Sequence, residues 1–266
     1  MSTIIAPRTQ PDDYVEFCQG VHRLTRIDLL QYKRGQMERR IRGFVDRRGA
    51  TGLGDYLKVL ERSHDELERF LDRVTINVSQ LWRNPEVWAA VSRRILPELG
   101  SQGKIRAWSA GCSYGAEAYT LAATCLEALS NVQLEIVGTD IDKRMVERAR
   151  RGSFSVDDGR AAPSDSLEKW FDRDGDRWTA KDELRRHCRF ETGDLLLDRV
   201  VPSSFDLVIC RNVVIYFSEE VRDELHRRLA TSLRPGGFLV VGSTERVAVA
   251  AECGLTSPQP FIYRKS

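Results

Sequence analysis

Much that would betray a function at sight is missing from this 266-residue chain. No run of about 18 apolar residues occurs, which argues against a membrane-spanning helix. The opening Met1-Ser2-Thr3-Ile4-Ile5-Ala6-Pro7-Arg8 lacks the apolar core of a signal peptide. A cytoplasmic protein with no membrane insertion is therefore expected. Six cysteines, at 18, 112, 125, 188, 210 and 253, include no Cys-x-x-Cys pair. The four histidines, His22, His64, His187 and His226, stand apart from plausible co-ligands. Free thiols and no metal are the expectation. Charge of one sign is not in excess either: 41 Lys and Arg against 39 Asp and Glu leave +2, which gives no global reason to expect nucleic acid. The Gly-x-Gly-x-x-Gly fingerprint of dinucleotide binding is absent as well.

The apolar residues that are present change period along the chain. Residues 11–75 repeat at helical spacing: Val15, Phe17, Val21 and Leu24, then Met37, Ile41, Phe44 and Val45, then Leu57, Leu60, Leu67, Phe70, Leu71 and Val74. Gly49-Ala50-Thr51-Gly52 and Ser63-His64-Asp65 read as junctions between helices. A helix over 85–99 carries Val87, Trp88, Val91, Ile95 and Leu96, and Pro97 should bend or end it.

From Lys104 onward strands and helices alternate: strand 105–108, helix 116–129, strand 135–137, helix 143–151, strand 205–210, helix 219–233, strand 238–242 and strand 261–263. This order predicts an α/β fold with a doubly wound, Rossmann-like sheet. Residues 152–190 break the alternation, with Pro163, a helical piece near 167–171 and a polar turn at Asp172-Arg173-Asp174-Gly175-Asp176-Arg177-Trp178. They are expected to form a small inserted β-subdomain. The expected organisation is a helical domain over 1–80, a linker helix over 81–100 and the α/β domain over 101–266.

The most informative stretch is 104–142. Ile105-Arg106-Ala107-Trp108 runs into Ser109-Ala110-Gly111-Cys112-Ser113-Tyr114-Gly115, and Glu135-Ile136-Val137 precedes Gly138-Thr139-Asp140-Ile141-Asp142. Strand, glycine loop, helix, strand and acidic end build a ligand crevice at the carboxyl edge of a parallel sheet. Gly111 and Gly115 bracket the loop, and Asp140 is placed to accept both hydroxyls of a ribose. With no phosphate fingerprint, the ligand that fits is S-adenosylmethionine, which has no pyrophosphate. Glu117, in the first turn of the following helix, can receive the ligand's amino group. The plainer alternatives are a tight strand-to-helix turn for the loop and a helix N-cap for Asp140.

Five segments in order then resemble the chemotaxis receptor methyltransferases of the CheR type: Asn77-Val78-Ser79-Gln80-Leu81-Trp82-Arg83-Asn84, the 108–120 loop and helix, Thr139-Asp140-Ile141-Asp142, Cys210-Arg211-Asn212-Val213-Val214-Ile215-Tyr216-Phe217 and Gly242-Ser243-Thr244-Glu245. The resemblance implies a class I methyltransferase sheet behind an all-helical N-terminal domain. It also implies methyl transfer from S-adenosylmethionine to glutamate carboxylates of chemoreceptors, yielding glutamyl methyl esters and S-adenosylhomocysteine. The implied cofactor contacts are Asn77, Ser79, Arg83, Glu117, Asp140, Asp194 with Leu195, and Asn212 with Val213; the implied catalytic pair is Arg83 and Tyr216. Against the family pattern, Ala116 replaces a glutamate, Ala118 a proline, Asp194 an asparagine and Ser79 a threonine, while Leu81-Trp82 replaces two phenylalanines. Other readings are a methyltransferase of the same fold acting on a small molecule or nucleic acid, and a cofactor-binding regulator without catalysis. For Arg83 and Tyr216 the plain readings are a surface ion pair and a core aromatic.

The charge is unevenly spread, with nine Lys and Arg against three Asp and Glu between residues 20 and 50. Met37, Ile41 and Phe44 mark a buried helix face; Lys33, Arg40 and Arg47 follow one flank every seven residues, with Arg39 and Arg42 farther round. A solvated helix with i,i+4 pairs is one reading. The other is a docking surface for an acidic partner, which the resemblance identifies as the glutamate-rich cytoplasmic coiled coil of chemoreceptors. The short path from Phe171 to Phe190 points to a form that does not depend on a receptor's C-terminal pentapeptide tether. No heptad or long apolar stripe suggests association, so a monomer is expected.

Overall fold

The computed structural model describes residues 12–75 and 79–266. The chain divides into two compact units, 1–76 and 77–266. In the first, α1 (Asp13–Thr25), α2 (Arg34–Arg47), α3 (Leu53–Arg62) and α4 (His64–Val74) pack together. Asp12 and Ser63 begin α1 and α4, their side chains accepting the backbone N–H groups left over in the first turn. The core is aromatic: Phe17, Phe44 and Tyr56 each lie about one ring width from Phe70, with centroids 5.6, 6.1 and 6.0 Å away. Glu66 is buried among them because Arg48 Nε and the Tyr56 hydroxyl both donate to its Oε1, at 2.7 and 2.8 Å.

The second unit begins with α5 (Pro85–Ala90) and α6 (Leu96–Gly100), joined by a π-turn over Val91–Ile95. The helix expected over 85–99 is thus interrupted, and the cause is Pro97. Proline cannot donate to a carbonyl one turn back, and the helix widens just before it, with Leu96 N–H bonding Val91 O. These residues, expected as a linker, belong to the second unit.

There follow β1 (Lys104–Ala110), α7 (Ala116–Ala128), β2 (Gln133–Asp140), α8 (Lys143–Arg151), β3 (Ser153–Ser155), α9 (Ser164–Trp170), β4 (Phe171–Asp174), β5 (Arg177–Ala180), α10 (Asp182–Arg185), β6 (Cys188–Thr192), β7 (Phe205–Cys210), α11 (Glu219–Ser232), β8 (Leu233–Val241), β9 (Leu255–Gln259) and β10 (Ile262–Lys265). The main sheet runs β6-β2-β1-β7-β8-β10-β9. Its first five strands are parallel, and β10 pairs antiparallel with both of its neighbours, β8 and β9. β1 lies between β2 and β7, so the strand order reverses beside it, and a crevice opens at the carboxyl ends of β1 and β7. β7 is buried along its last four residues, as a central parallel strand must be. Helix α7 is enclosed on nearly every side, with Ala116, Ala118, Ala122 and Ala123 all fully buried.

The inserted subdomain is a three-stranded antiparallel sheet, β3-β5-β4, with the expected hairpin turn at Gly175. It ends earlier than residue 190. Cys188 to Thr192 pair with β2 as the outer strand of the main sheet, with Phe190 the only one of the five fully buried. That edge position leaves the strand too polar to stand out in sequence. The same holds for β9, which was not expected: Leu255-Thr256-Ser257-Pro258-Gln259 holds a proline tolerable only on an edge. The turn expected at 234–237 lies inside β8 as a bulge, the register passing from Phe205 opposite Leu233 to Leu207 opposite Phe238.

Candidate active site

The crevice is shaped first by backbone. After β1, Gly111, Ser113 and Gly115 all adopt positive φ, at 78, 49 and 90°. A Cβ on Gly111 would come within 2.5 Å of Val213 Cγ2, and one on Gly115 within 2.9 Å of the Ala149 Cβ in α8. Both glycines are therefore required by close approach as well as by conformation. The Gly111 and Cys112 N–H groups donate to Thr139 O, each at 2.9 Å, tying the loop to the end of β2.

Asp140 closes this arrangement. Its Oδ2 accepts Ser113 N–H at 2.7 Å and its Oδ1 accepts Asp142 N–H at 2.9 Å. It is not the cap of α8; that role belongs to Asp142, whose carboxylate accepts Arg144 N–H. Asp140 as a residue is half-buried, but its carboxyl end is covered, and burial pushes its pKa up to about 6 against the pull of the backbone N–H groups. Gly193 N–H donates to Asp140 O at 2.9 Å, which sets Asp194 and Leu195 alongside. The Asp194 Oδ1 accepts Leu196 N–H at 2.8 Å and Leu197 N–H at 3.3 Å, closing its own turn, while Leu195 O accepts from Arg228.

Deeper in, charges of both signs meet. Arg211, directly after β7, is 6% exposed. Its Nη2 donates to Arg83 O and Asn84 Oδ1, both at 2.9 Å, and its Nη1 lies 3.6 Å from Glu117 Oε2. Glu117 Oε1 accepts the Ser109 hydroxyl at 2.8 Å. Glu245 is 4% exposed; its Oε2 accepts Asn212 N–H at 3.1 Å and Gly242 N–H, joining the ends of β7 and β8. Burial raises the pKa of both Glu117 and Glu245, opposed at Glu117 by Arg211 and at Glu245 by its two backbone donors. Burial also lowers that of Arg211.

Residues 79–84 line the same region without regular structure. Leu81 and Trp82 are buried, as their bulk predicts. Trp82 holds φ at 50° and Asn84 at 58°; Trp82 N–H donates to Thr120 Oγ1 at 3.0 Å, and Trp88 Nε1 donates to Arg83 O at 3.0 Å. A bulky residue takes positive φ only where its surroundings hold it there.

Of the residues singled out in sequence, Gly111 meets Val213, Arg83 and Glu117 meet around Arg211, Asn212 is fixed by Glu245, and Asp194 and Leu195 stand beside Asp140. Tyr216 is half-buried on the 3-10 turn Val214–Tyr216, just beyond Val213. Asn77 lies outside the described residues. Arg211 and Glu245 were not assigned roles in sequence. Both lie inside segments that carry the family resemblance, and Arg211 is also a charged residue directly after the apolar run 207–210.

Three buried polar atoms here, Ser113 Oγ, Arg211 Nε and Glu245 Oε1, have no partner among the described residues. Such atoms call for a polar ligand. S-adenosylmethionine, with ribose hydroxyls, an ammonium and a carboxylate, fits the donors, the acceptors and the cradle between Gly111 and Val213.

In the first unit, Arg39 and Arg47 are exposed on α2 and have no acidic partner among the described residues. Arg42, expected on the docking face, is instead half-buried, its guanidinium holding Asp13 and Glu38. Arg40 donates to Val74 O at 3.3 Å, and Lys33 is exposed at the start of the helix.

The model of the CheR methyltransferase SAM binding domain matches residues 77–257, and that of the CheR methyltransferase all-alpha domain matches residues 12–75. A chemotaxis protein methyltransferase of Listeria monocytogenes is 34% identical over 256 residues, covering 96% of this chain and 97% of that protein. Chemotaxis protein methyltransferase 1 of Pseudomonas aeruginosa is 32% identical over 219 residues, covering 77% of this chain and 80% of that protein. A TehB-like SAM-dependent methyltransferase structure from Corynebacterium glutamicum is 16% identical at a TM-score of 0.40, covering 68% of this chain and 93% of that one. With its helical unit, its doubly wound class I sheet and a crevice fitted to S-adenosylmethionine, the chain belongs to the CheR methyltransferase family.

Proposed function

We propose that the protein transfers the methyl group of S-adenosylmethionine to glutamate side chains in the cytoplasmic coiled coil of chemoreceptors, acting as a cytoplasmic monomer without a pentapeptide tether. The observation that carries this reading is the meeting of half-buried Arg83 and Glu117 with buried Arg211 and Glu245 at the carboxyl ends of β1, β7 and β8, where Arg211 Nε and Glu245 Oε1 have no partner among the described residues. The cofactor supplies a methyl group already activated by the positive charge of its sulfonium. Asp140 accepts the ribose hydroxyls, Glu117 takes the ammonium, and Asn77, Ser79, Asp194, Leu195, Asn212 and Val213 complete the contacts.

A glutamate acceptor, with an ordinary pKa of about 4.3, is ionised near neutral pH and needs no base. The chain's task is to orient and desolvate it, which in favourable cases lowers a barrier by roughly 7–11 kcal/mol. Arg83 holds a carboxylate with its planar fork, which cannot act as a base. Tyr216 presents its hydroxyl beside the reacting group. Arg39 and Arg47, with Lys33, form the cationic face that meets an acidic coiled coil. Receptor-bearing membranes incubated with the protein and methyl-labelled cofactor should yield a label released as methanol by base. Label that resists base, or none, would overturn the assignment.

A further inference from the structure

The glycine loop holds one large residue that a tight turn does not require. Tyr114 is 4% exposed. Its hydroxyl donates to the Ser79 carbonyl and lies 2.8 Å from Asp158 Oδ1, so one proton is shared between two acceptors from distant parts of the chain. Burial and the neighbouring Asp158 carboxylate push the pKa of this phenol up, and it remains a donor.

Asp158 is fixed by the inserted subdomain. Its Oδ2 accepts the Ser155 N–H at 2.8 Å and the Ser155 hydroxyl at 2.9 Å, from β3. Arg148 of α8 stands 3.7 Å from the same oxygen and places its guanidinium 3.9 Å from the centre of the Tyr114 ring. The Asp158 carbonyl accepts Leu81 N–H at 2.9 Å. Residues 79 and 81 are thus pinned from one 3-10 turn, Asp157–Gly159, the first through Tyr114 and the second directly. The pinned segment has no ladder of its own and leads within two residues to Arg83.

We propose that Tyr114 and Asp158 are positioning residues: together they fix residues 79–83 against the glycine loop, and through them the inserted subdomain sets the geometry of the cofactor crevice. This rests on the reading that Ser79 and Arg83 line that crevice, and it adds residues that neither touch the cofactor nor take part in transfer.

The test uses the full chain with Tyr114→Phe, Asp158→Asn and the double variant. The readouts are calorimetric affinity for S-adenosylhomocysteine and initial rates against S-adenosylmethionine and receptor-bearing membranes. Each single variant should weaken the affinity about tenfold, the effect of losing a buried hydrogen bond to a charged group. KM for S-adenosylmethionine should rise while KM for receptor stays unchanged. Because part of each loss runs through the shared Tyr114–Asp158 bond, the double variant should lose less than the sum of the two singles. A purely structural loss would lower the amount of active enzyme and leave affinity and both KM values as they were. Unchanged affinity in all three variants, or losses that simply add, would overturn the proposal. Should Asp158→Asn fail to fold, Tyr114→Phe carries the test alone, since it removes one oxygen and keeps the ring beneath Arg148. Wild-type protein that binds S-adenosylhomocysteine without labelling receptor glutamates would refute the methyl-ester reading and leave this comparison intact.

Discussion

With Asp140 in its proposed role, accepting the ribose hydroxyls, cofactor affinity should depend on pH. Burial raises its folded pKa from 3.8 to about 6. A carboxylate that accepts two ribose hydroxyls must be ionised, so binding competes with the proton below pH 6. At pH 5 about one molecule in eleven carries the ionised group, and affinity for S-adenosylhomocysteine should be roughly tenfold lower than at pH 7. The ligand's ammonium and carboxylate do not titrate in that interval. Burial raises the pKa of Glu117 and Glu245 as well, so the contribution of Asp140 has to be isolated by substitution. Calorimetric titration of wild type and Asp140→Ala between pH 5 and 7 separates them: the variant should bind weakly and with a much flatter profile. The ligand-free protein supplies a second reading. A raised carboxyl pKa contributes stability that is full below about pH 4 and is lost as pH rises through 6. The shift is worth at most about 3 kcal/mol, less for the partial solvent contact Asp140 retains. Asp140→Ala also loses two backbone hydrogen bonds at every pH, so only the pH dependence of its melting difference is diagnostic, and it should favour the variant more at pH 7 than at pH 4. Wild-type affinity that stays level from pH 7 to 5, or an Asp140→Ala profile as steep as wild type, would refute the reasoning.

Arg83→Ala should lower kcat about a hundredfold and Tyr216→Phe about tenfold, with melting temperatures little changed, because the Arg83 contacts made by Arg211 and Trp88 use its backbone carbonyl. Unchanged turnover in both would remove their proposed roles. Arg39→Glu with Arg47→Glu should slow receptor methylation severalfold while affinity for S-adenosylhomocysteine stays the same; equal rates would remove the docking face. Arg40 and Arg42 are unsuited to this test because they are tied to Val74 O, Asp13 and Glu38. His226 is fully buried, neither ring nitrogen has a partner among the described residues, and burial lowers its pKa to about 4. A depressed histidine contributes nothing adverse above pH 6.5 and costs stability as pH falls toward 4, about 2 kcal/mol at pH 5. His226→Leu should therefore melt higher relative to wild type at pH 5 than at pH 8, and an equal difference at both would contradict the assignment.

What sequence reveals here follows from burial. The strands β1 and β7 are legible because each buries its last four residues in a row, as central parallel strands must, and α8 because Met145, Val146 and Ala149 repeat against charged neighbours. The outer strands β6 and β9 bury one residue of five each and leave no pattern to read. The site divides in the same way. Gly111, Glu117 and Asp140 sit where strand ends and a first helical turn put them, so spacing alone locates them. Glu245 reaches Asn212 across 33 positions, Tyr114 reaches Asp158 across 44, and Arg211 reaches Arg83 across 128. Nothing local marks those meetings, which exist only once the sheet has formed.

The departures from the family pattern can be weighed on the same physical terms. Asp194, where asparagine is usual, raises the question whether an amide donor has been lost from the crevice. Its carboxylate instead accepts Leu196 and Leu197 N–H, a task an acceptor oxygen of either side chain performs, and its own N–H is held by Asp198 at 2.8 Å. The substitution therefore preserves the turn that sets Leu195 beside Asp140. Ala116 and Ala118 are both fully buried on α7, which the core encloses on nearly every side. Small side chains at both positions suit so enclosed a helix, and α7 brings Glu117 to Ser109 and Arg211. The Glu117 carboxylate, proposed above to take the ligand's ammonium, is thus held by its neighbours on β1 and after β7, and its position does not require a second carboxylate at 116.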